Sequence, residues 1–219
     1  MGVVYLGDEC IGEMYTHNVV DVTTTVINTL KKPISRYMVD ENGVAKLIEG
    51  DITGAFDDVV TILTFGLQHA FRSCAGLTGS VSFPNLTAIG GSALVYAFLN
   101  CTGLTGSVSF PNLTSIGGNG LQQAFEGCTG LTGSVSFPNL TTIGSYGLMD
   151  AFNGCTGLTG SVSFPNLTSV GRYGLNHAFY KCTGLTEIHF RADAQATIEA
   201  QTGYSSKFGA TSATIYFDL

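Results

Sequence analysis

Residues 77–87 read Leu-Thr-Gly-Ser-Val-Ser-Phe-Pro-Asn-Leu-Thr, and the same eleven residues begin again at Leu104, Leu131 and Leu158 without a change. Each copy starts 27 residues after the previous one. Self-similarity at a fixed period in this range is the signature of a solenoid, in which stacked units bury a continuous core. The sequence therefore predicts a stack of equivalent coils that fold together.

Each copy begins with a segment whose apolar residues recur every second position. Leu77–Phe83 alternates apolar residues and glycine with Thr and Ser, which predicts a strand with an apolar inner face and a hydroxyl outer face. Pro84 and Asn85 interrupt this strand, since proline has no amide to donate and asparagine favours turns. Leu86 and Ile89 then predict a second, shorter strand.

The remainder of each copy has a different period. Leu94, Ala97, Phe98 and Cys101 stand at i, i+3, i+4 and i+7, which is the spacing of one face of a helix. We therefore expect a short helical turn per repeat, closed by the Thr-Gly that follows each cysteine. Stacking at ~4.8 Å would pair each strand with its copy in a parallel sheet.

The period divides the chain into three parts. Residues 50–184 hold five 27-residue repeats, the first degenerate, with Phe56 in the place of Phe83 and Leu67 in that of Leu94. Residues 185–219 begin another copy and then depart from it, which predicts a C-terminal cap of strand, helix and strand.

The N-terminal segment, 1–49, has no repeat. It is rich in β-branched and aromatic residues at 3–6, 19–27 and 34–39, and Asp-Glu-Asn-Gly at 40–43 predicts a hairpin turn into 44–48. We interpret it as a β cap or attachment subdomain.

Charge is scarce, and this excludes some functions. Only 11% of the residues are charged, against about 25% in typical domains, while 44% are hydrophobic. The 9 basic and 16 acidic residues give a net charge of −7, the opposite of what phosphate neutralisation requires, so we expect no nucleic-acid partner. No run approaches the ~18 uninterrupted apolar residues of a membrane span, so we expect no membrane insertion.

The repeated units resemble a known family. Leu-Thr-x-x-x-x-Phe-Pro, Leu-Thr-Ser-Ile-Gly and Ala-Phe-x-x-Cys recur in register over roughly 50–190 and are similar to BspA-like leucine-rich repeats, in a longer, glycine-rich variant. The resemblance does not extend to 1–49. It implies a surface or secreted protein of a bacterium or protist that adheres to host proteins or to other cells.

The N-terminus does not carry a secretory signal. Residues 1–6 lack a basic region, and Asp8 and Glu9 come before an apolar segment could form. Two explanations stay open: a mature chain without its leader, or another export route, such as that of a phage-tail or similar particle component.

Five cysteines stand at equivalent positions, and a sixth, Cys10, lies outside the series. The series, which we call the cysteine ladder, comprises Cys74, Cys101, Cys128, Cys155 and Cys182. Stacked copies would have parallel Cβ vectors, which disfavours disulfides, and no Cys or His spacing typical of zinc occurs. We therefore expect small, buried, reduced side chains.

Other motifs point away from catalysis. Asn-Leu-Thr recurs at Asn85, Asn112, Asn139 and Asn166 and reads as a turn asparagine rather than a glycosylation site. There is no Walker loop and no nucleophile elbow with Ser, His and Asp, so we predict no catalytic residue, metal or cofactor. The outer Ser and Thr of the strands form a regular hydroxyl array that suits solubility, a glycan or ice.

The predicted binding residues are those that differ between otherwise identical repeats. Two explanations compete: drift at unconstrained positions, or diversification of a binding face, to which adaptable polar and aromatic contact residues are suited. We call the candidate set the variable strip; it comprises Tyr96, Gln123, Tyr146, Met149, Asp150, Tyr173, Asn176, His177 and Tyr180.

The function that follows is non-catalytic binding or adhesion to a protein or glycan on the surface of a host or neighbouring cell. The protein would then be located at the cell surface or secreted. The alternative is a structural or receptor-binding part of a phage tail or related particle, associated with the virion.

Overall fold

A computed structural model describes residues 2–6, 9–14, 36–39, 45–57 and 59–218, with side chains from residue 50 onward. One α-helix, α1, spans Gln195–Glu199, and 3-10 turns span Ala192–Ala194 and Tyr204–Gly209. The strands are β1 Gly2–Leu6, β2 Glu9–Met14, β3 Arg36–Val39, β4 Ala45–Asp51, β5 Thr61–Ile62, β6 Gly76–Thr78, β7 Val81–Ser82, β8 Ala88–Ile89, β9 Val108–Ser109, β10 Ser115–Ile116, β11 Val135–Ser136, β12 Thr142–Ile143, β13 Thr159–Phe164, β14 Ser169–Val170, β15 Gly184–Phe190 and β16 Thr214–Phe217.

The repeats form the parallel-strand solenoid that the sequence predicts. The first sheet has the order β16-β15-β13-β11-β9-β7, and the second has the order β14-β12-β10-β8-β5. Pairing in the repeats joins residues 27 apart, as Val108 with Val135 and Ile116 with Ile143. Each coil therefore contributes one short strand to each sheet.

The strands of the first sheet are shorter than predicted. In the coils that contain β7, β9 and β11, only two residues of the expected seven pair as ladder strand. Gly79 and Gly106 have φ of 86° and 77°, a left-handed conformation that an extended strand cannot contain. The alternation still holds for the core, because Leu77, Val81 and Phe83 are all buried.

The predicted helical turn is wrong in its backbone. No helix occurs between residues 91 and 101 or in the equivalent segments of the described repeats; each is a ribbon of consecutive turns, which we call the turn face. In the ribbon of residues 92–100, Ser92, Tyr96 and Asn100 have φ of 55°, 56° and 59°. A left-handed residue at every fourth position is incompatible with a right-handed helix.

Two alternating sets of hydrogen bonds explain the ribbon. The N–H groups of Ala97 and Cys101 donate to carbonyls three residues earlier in the same coil, at 3.0 and 3.1 Å. Those of Leu94, Tyr96 and Phe98 donate instead to the next coil, 26 residues later, at 2.7–3.1 Å. The peptides are thereby paired without a helix, as burial requires. Leu94, Ala97, Phe98 and Cys101 are buried as the spacing predicted.

The core consists of columns of identical side chains. One column stacks Phe83, Phe110, Phe137 and Phe164, with ring centroids 5.4–5.5 Å apart. A second column, listed by position, contains Phe71, Phe98, Phe125, Phe152 and Phe179, with centroids 5.1–5.8 Å apart. Phe56 stacks on Phe83 at 4.4 Å, so the degenerate first coil takes the place that the register predicted.

Short elements lie at both ends. β3 pairs antiparallel with β4, which confirms the predicted hairpin, and β4 pairs parallel with β6. The predicted strand at 19–27 lies outside the described residues. At the C-terminus, β16 pairs parallel with β15, and the carbonyl of Phe208 accepts the N–H of Phe179, as a further coil would.

Truncation of a central ring should be costly. Phe125 is fully buried between Phe98 and Phe152, with centroids at 5.1 and 5.3 Å. Phe125→Ala should lower the free energy of unfolding by about 3–5 kcal/mol in denaturant titration. Because nearest-neighbour interfaces carry stability in a solenoid, the transition should also become less cooperative. A loss below about 1 kcal/mol would contradict a stabilising role for the stacked rings.

The glycine after each Cys-Thr is required by close approach between coils. A Cβ on Gly130 would lie 2.5 Å from the carbonyl oxygen of Leu104 and 2.6 Å from that of Thr102. These are backbone atoms, so relief requires the coils to separate. A Cβ on Gly118, which lies on the turn face, would meet only the carbonyl oxygen of Ser145, at an ordinary 3.6 Å.

The two glycines form a matched pair of test sites. Gly130→Ala should lower the free energy of unfolding by about 1–3 kcal/mol, the usual cost of overpacking, whereas Gly118→Ala should change it by no more than about 0.5 kcal/mol. Thermal and denaturant unfolding of the two variants measure the difference. Equal effects at both positions would show that coil spacing is not what selects glycine at position 130.

Candidate functional site

The variable strip lies on the turn face. Six of its nine residues occupy left-handed positions, with φ between 52° and 59°; they are Tyr96, Gln123, Tyr146, Asp150, Tyr173 and His177. A non-glycine residue in this region costs about 1–3 kcal/mol, and such strain often marks functional positions. The ribbon therefore repeats one costly backbone conformation at the positions where the side chains differ most.

Two aromatic residues of the strip form a stacked pair. Tyr146 and Tyr173 occupy equivalent positions in neighbouring coils, and their ring centroids are 5.3 Å apart. The guanidinium of Arg172 lies 4.7 Å from the centroid of the Tyr173 ring and donates to its hydroxyl oxygen at 3.2 Å. Stacking between coils and the cation above the ring hold the two phenols side by side at the surface.

Polar residues form a second group. Gln123 Nε2 donates to Glu126 Oε2 at 2.6 Å, and Asn153 Nδ2 donates to Asp150 Oδ1 at 3.3 Å and to Glu126 Oε1 at 3.4 Å. His177 Nδ1 lies 3.8 Å from Asp150 Oδ1. Three successive coils are thereby linked across the strip.

The Asp150 carboxyl has a perturbed pKa. Partial burial raises it above its ordinary value, the proximity of His177 lowers it, and the charge of Glu126 raises it. Burial is the largest of these effects. The balance makes Asp150 a poorly hydrated acceptor that suits a hydrogen-bond donor on a partner.

The other members of the strip are spread more widely. Tyr96 stacks on His69, with centroids 4.9 Å apart, rather than on a strip residue. Tyr180 is 40% exposed, and its ring centroid lies 5.4 Å from that of His177. Asn176 lies against the C-terminal cap, because a Cβ on Gly203 would be 3.2 Å from its Oδ1. Met149 is half-buried, and its carbonyl accepts the N–H of Gln123 at 3.0 Å.

Comparison with known proteins identifies the repeat. The family model for the BspA type leucine rich repeat region matches residues 92–208 in six copies. The chain belongs to the BspA-type leucine-rich repeat family. Proteins built from these repeats are generally protein-interaction or adhesion modules and are often exposed on bacterial surfaces, and the fold is typically a non-catalytic scaffold.

Among solved structures, the chain is similar to the crystal structure of a T. pallidum leucine-rich repeat protein. The two are 21% identical, with a TM-score of 0.49, over 85% of this chain and 80% of that one. No curated protein matches the sequence. In the part of the chain that the structure describes, no helix is long and apolar enough to cross a membrane.

The BspA-type register shows which residues the sequence analysis left out. Glu126 and Asn153 occupy the position of Tyr180 in earlier coils, and both join the polar group. Extending the position of Tyr180 to its copies would have found them. Arg172 precedes Tyr173, and its role as a cation above that ring depends on geometry that the period does not encode.

The cysteine ladder is buried and free, as predicted, but the thiols are more than apolar filler. Cys128, Cys155 and Cys182 each donate an S–H to the carbonyl oxygen of the phenylalanine 30 residues earlier, with Sγ–O distances of 3.0 Å. Burial raises the pKa of Cys128 and of Cys182 to about 12. The side-chain geometry of Cys10 lies outside the described part of the chain.

These thiols should be unreactive in the folded protein. Because the thiolate is the nucleophile and burial raises the thiol pKa, a chromogenic disulfide at pH 8 should label at most Cys10 in native protein. Denatured protein should show all six thiols. A Cys10→Ser variant provides the control and should show no native labelling. More than one labelled thiol per native chain would contradict the buried ladder.

Proposed function

We propose that the protein is a non-catalytic adhesion module whose turn face binds a protein on the surface of a host or neighbouring cell. The general role of the family in protein interaction supports this assignment. The protein would act at the cell surface or after secretion.

The observation that carries the proposal is where the differences between repeats fall. Residues 77–87 and their three copies are identical, whereas the left-handed column of the turn face reads Tyr96, Gln123, Asp150 and His177. One backbone geometry at these positions presents four different side chains. Drift does not require a shared, strained conformation, but a surface that presents specific contacts benefits from one.

The stacked tyrosines have the properties of an interaction hot spot. Tyr146 and Tyr173 are held by each other and by Arg172, so binding would immobilise little that is not already ordered. Tyrosine and arginine are also the residue types enriched among energetically dominant interface positions. Mixed charge near the strip and few cations favour contacts that depend weakly on salt.

The test replaces the tyrosine pair by the residue that another coil has at that position. Ser92 occupies the equivalent position with φ of 55°, so Tyr146→Ser with Tyr173→Ser keeps a natural side chain on the same backbone. A panel of immobilised host surface proteins first identifies a partner of the unaltered chain. The double variant should then bind that partner at least tenfold more weakly, with little change in melting temperature.

A second variant distinguishes the turn face from the outer face of the first sheet. Replacing Ser80, Ser107 and Ser134 by Ala alters the hydroxyl array and should leave binding of the same partner unchanged. Normal binding by the tyrosine variant, together with weakened binding by the serine variant, would assign the site to the sheet and overturn the proposal.

A further inference from the structure

We propose that a groove at the corner between the two sheets binds a linear, neutral polysaccharide in an extended conformation. The groove has a volume of about 510 Å³ and crosses four successive coils. It follows the Pro-Asn turn between β7 and β8 and its copies, away from the turn face. We call it the Asn–Thr groove; it is lined by Asn85, Thr87, Asn112, Thr114, Asn139, Thr141 and Asn166.

The asparagine amides in the groove have a fixed orientation. Asn112, Asn139 and Asn166 each donate from Nδ2 to the carbonyl oxygen of the proline 28 residues earlier, at 2.7 Å. A carbonyl only accepts, so the amide nitrogen must face the protein and Oδ1 faces away. Within residues 59–218, the structure records no protein donor to these three oxygens. The groove therefore presents one amide acceptor per coil.

The threonines are fixed in the same way. Thr114 Oγ1 donates to the carbonyl oxygen of Thr87 at 2.9 Å, and Thr141 Oγ1 donates to that of Thr114 at 2.9 Å. Each hydroxyl proton is thus used within the protein, and the oxygen lone pairs remain as acceptors. Because these rotamers are already set, ordering them on binding costs little entropy.

An array of neutral acceptors selects a ligand that supplies neutral donors. Sugar hydroxyls meet this requirement, and no charged side chain lines the groove to favour an anionic or cationic polymer. Nucleic acid is disfavoured because nothing in the groove neutralises phosphate. The favoured ligand is therefore an uncharged glycan.

The spacing of the coils distinguishes a glycan from a peptide. Neighbouring coils place equivalent groups 5.4–5.5 Å apart, as the stacked phenylalanines measure. An extended peptide repeats every two residues, about 6.6–6.8 Å, and loses register within a few coils. An extended chain of β-1,4-linked sugars advances by about one coil per sugar, so equivalent hydroxyls meet equivalent acceptors along the groove. Each contact is modest, but several act within one ligand.

The experiment uses soluble β-1,4-linked oligomers of glucose and of N-acetylglucosamine, from dimers to hexamers, titrated calorimetrically into the full chain. Affinity should rise with length up to the tetramer, one sugar per coil of the groove, and then level off. α-1,4-linked glucose oligomers carry the same hydroxyls on a curved chain and should bind at least tenfold more weakly. Absence of binding by every β-1,4-linked oligomer overturns the proposal.

Matched variants locate the binding. Thr114→Val with Thr141→Val removes two acceptors while preserving shape, and should weaken binding at least fivefold, the effect of two neutral hydrogen bonds. Thr105→Val with Thr132→Val makes the same change on two exposed threonines outside the groove and should leave binding unchanged. Equal loss in both pairs, or no loss in the groove pair, overturns the assignment. The tyrosine variant of the turn face should retain oligosaccharide binding, so this test fails or succeeds independently of the adhesion proposal.

Discussion

Backbone hydrogen bonds between neighbouring coils are the interaction on which the rest of the structure depends. They join each repeat to the next at a constant offset, for example from Leu121 N–H to the Gly147 carbonyl at 2.8 Å and from Gly117 N–H to the Ile89 carbonyl at 2.8 Å. A constant offset places every residue next to its own copy. Apolar residues must then form columns, which is why Phe125 meets only other phenylalanines along its stack. Small residues are likewise required wherever two coils approach closely.

The same offset organises the polar groups. A cysteine that follows a phenylalanine by three residues meets the carbonyl of the preceding coil, and this gives the thiol a partner in a core otherwise made of hydrocarbon. An asparagine after each proline reaches back to the proline carbonyl one coil earlier. Buried and half-buried polar groups in this solenoid are satisfied by columns of identical bonds, so a single favourable contact is repeated along the stack.

A repeated backbone also separates structural from binding positions. On the turn face, left-handed residues direct different side chains outward in successive coils, and neighbours such as Tyr146 and Tyr173 meet because the coils are adjacent. At the corner between the sheets the side chains are identical, and the surface is uniform along the stack. A varied surface suits a partner with a specific shape, whereas a uniform one suits a polymer with a repeat of its own. The two proposed sites follow from this difference.

The sequence by itself determined the period, the parallel pairing and the identity of the core residues, because identical copies in a fixed register must stack on one another. Only the tertiary structure decided the backbone of the turn face. Leu94, Ala97, Phe98 and Cys101 have the spacing of a buried helical face, and a ribbon of turns buries the same four residues, so local periodicity does not distinguish the two. The choice depends on carbonyls 26 residues away, which accept the N–H groups that a helix would use internally. The thiol bonds, the orientation of the asparagine amides and the pairing of residues within the variable strip depend on the neighbouring coil for the same reason.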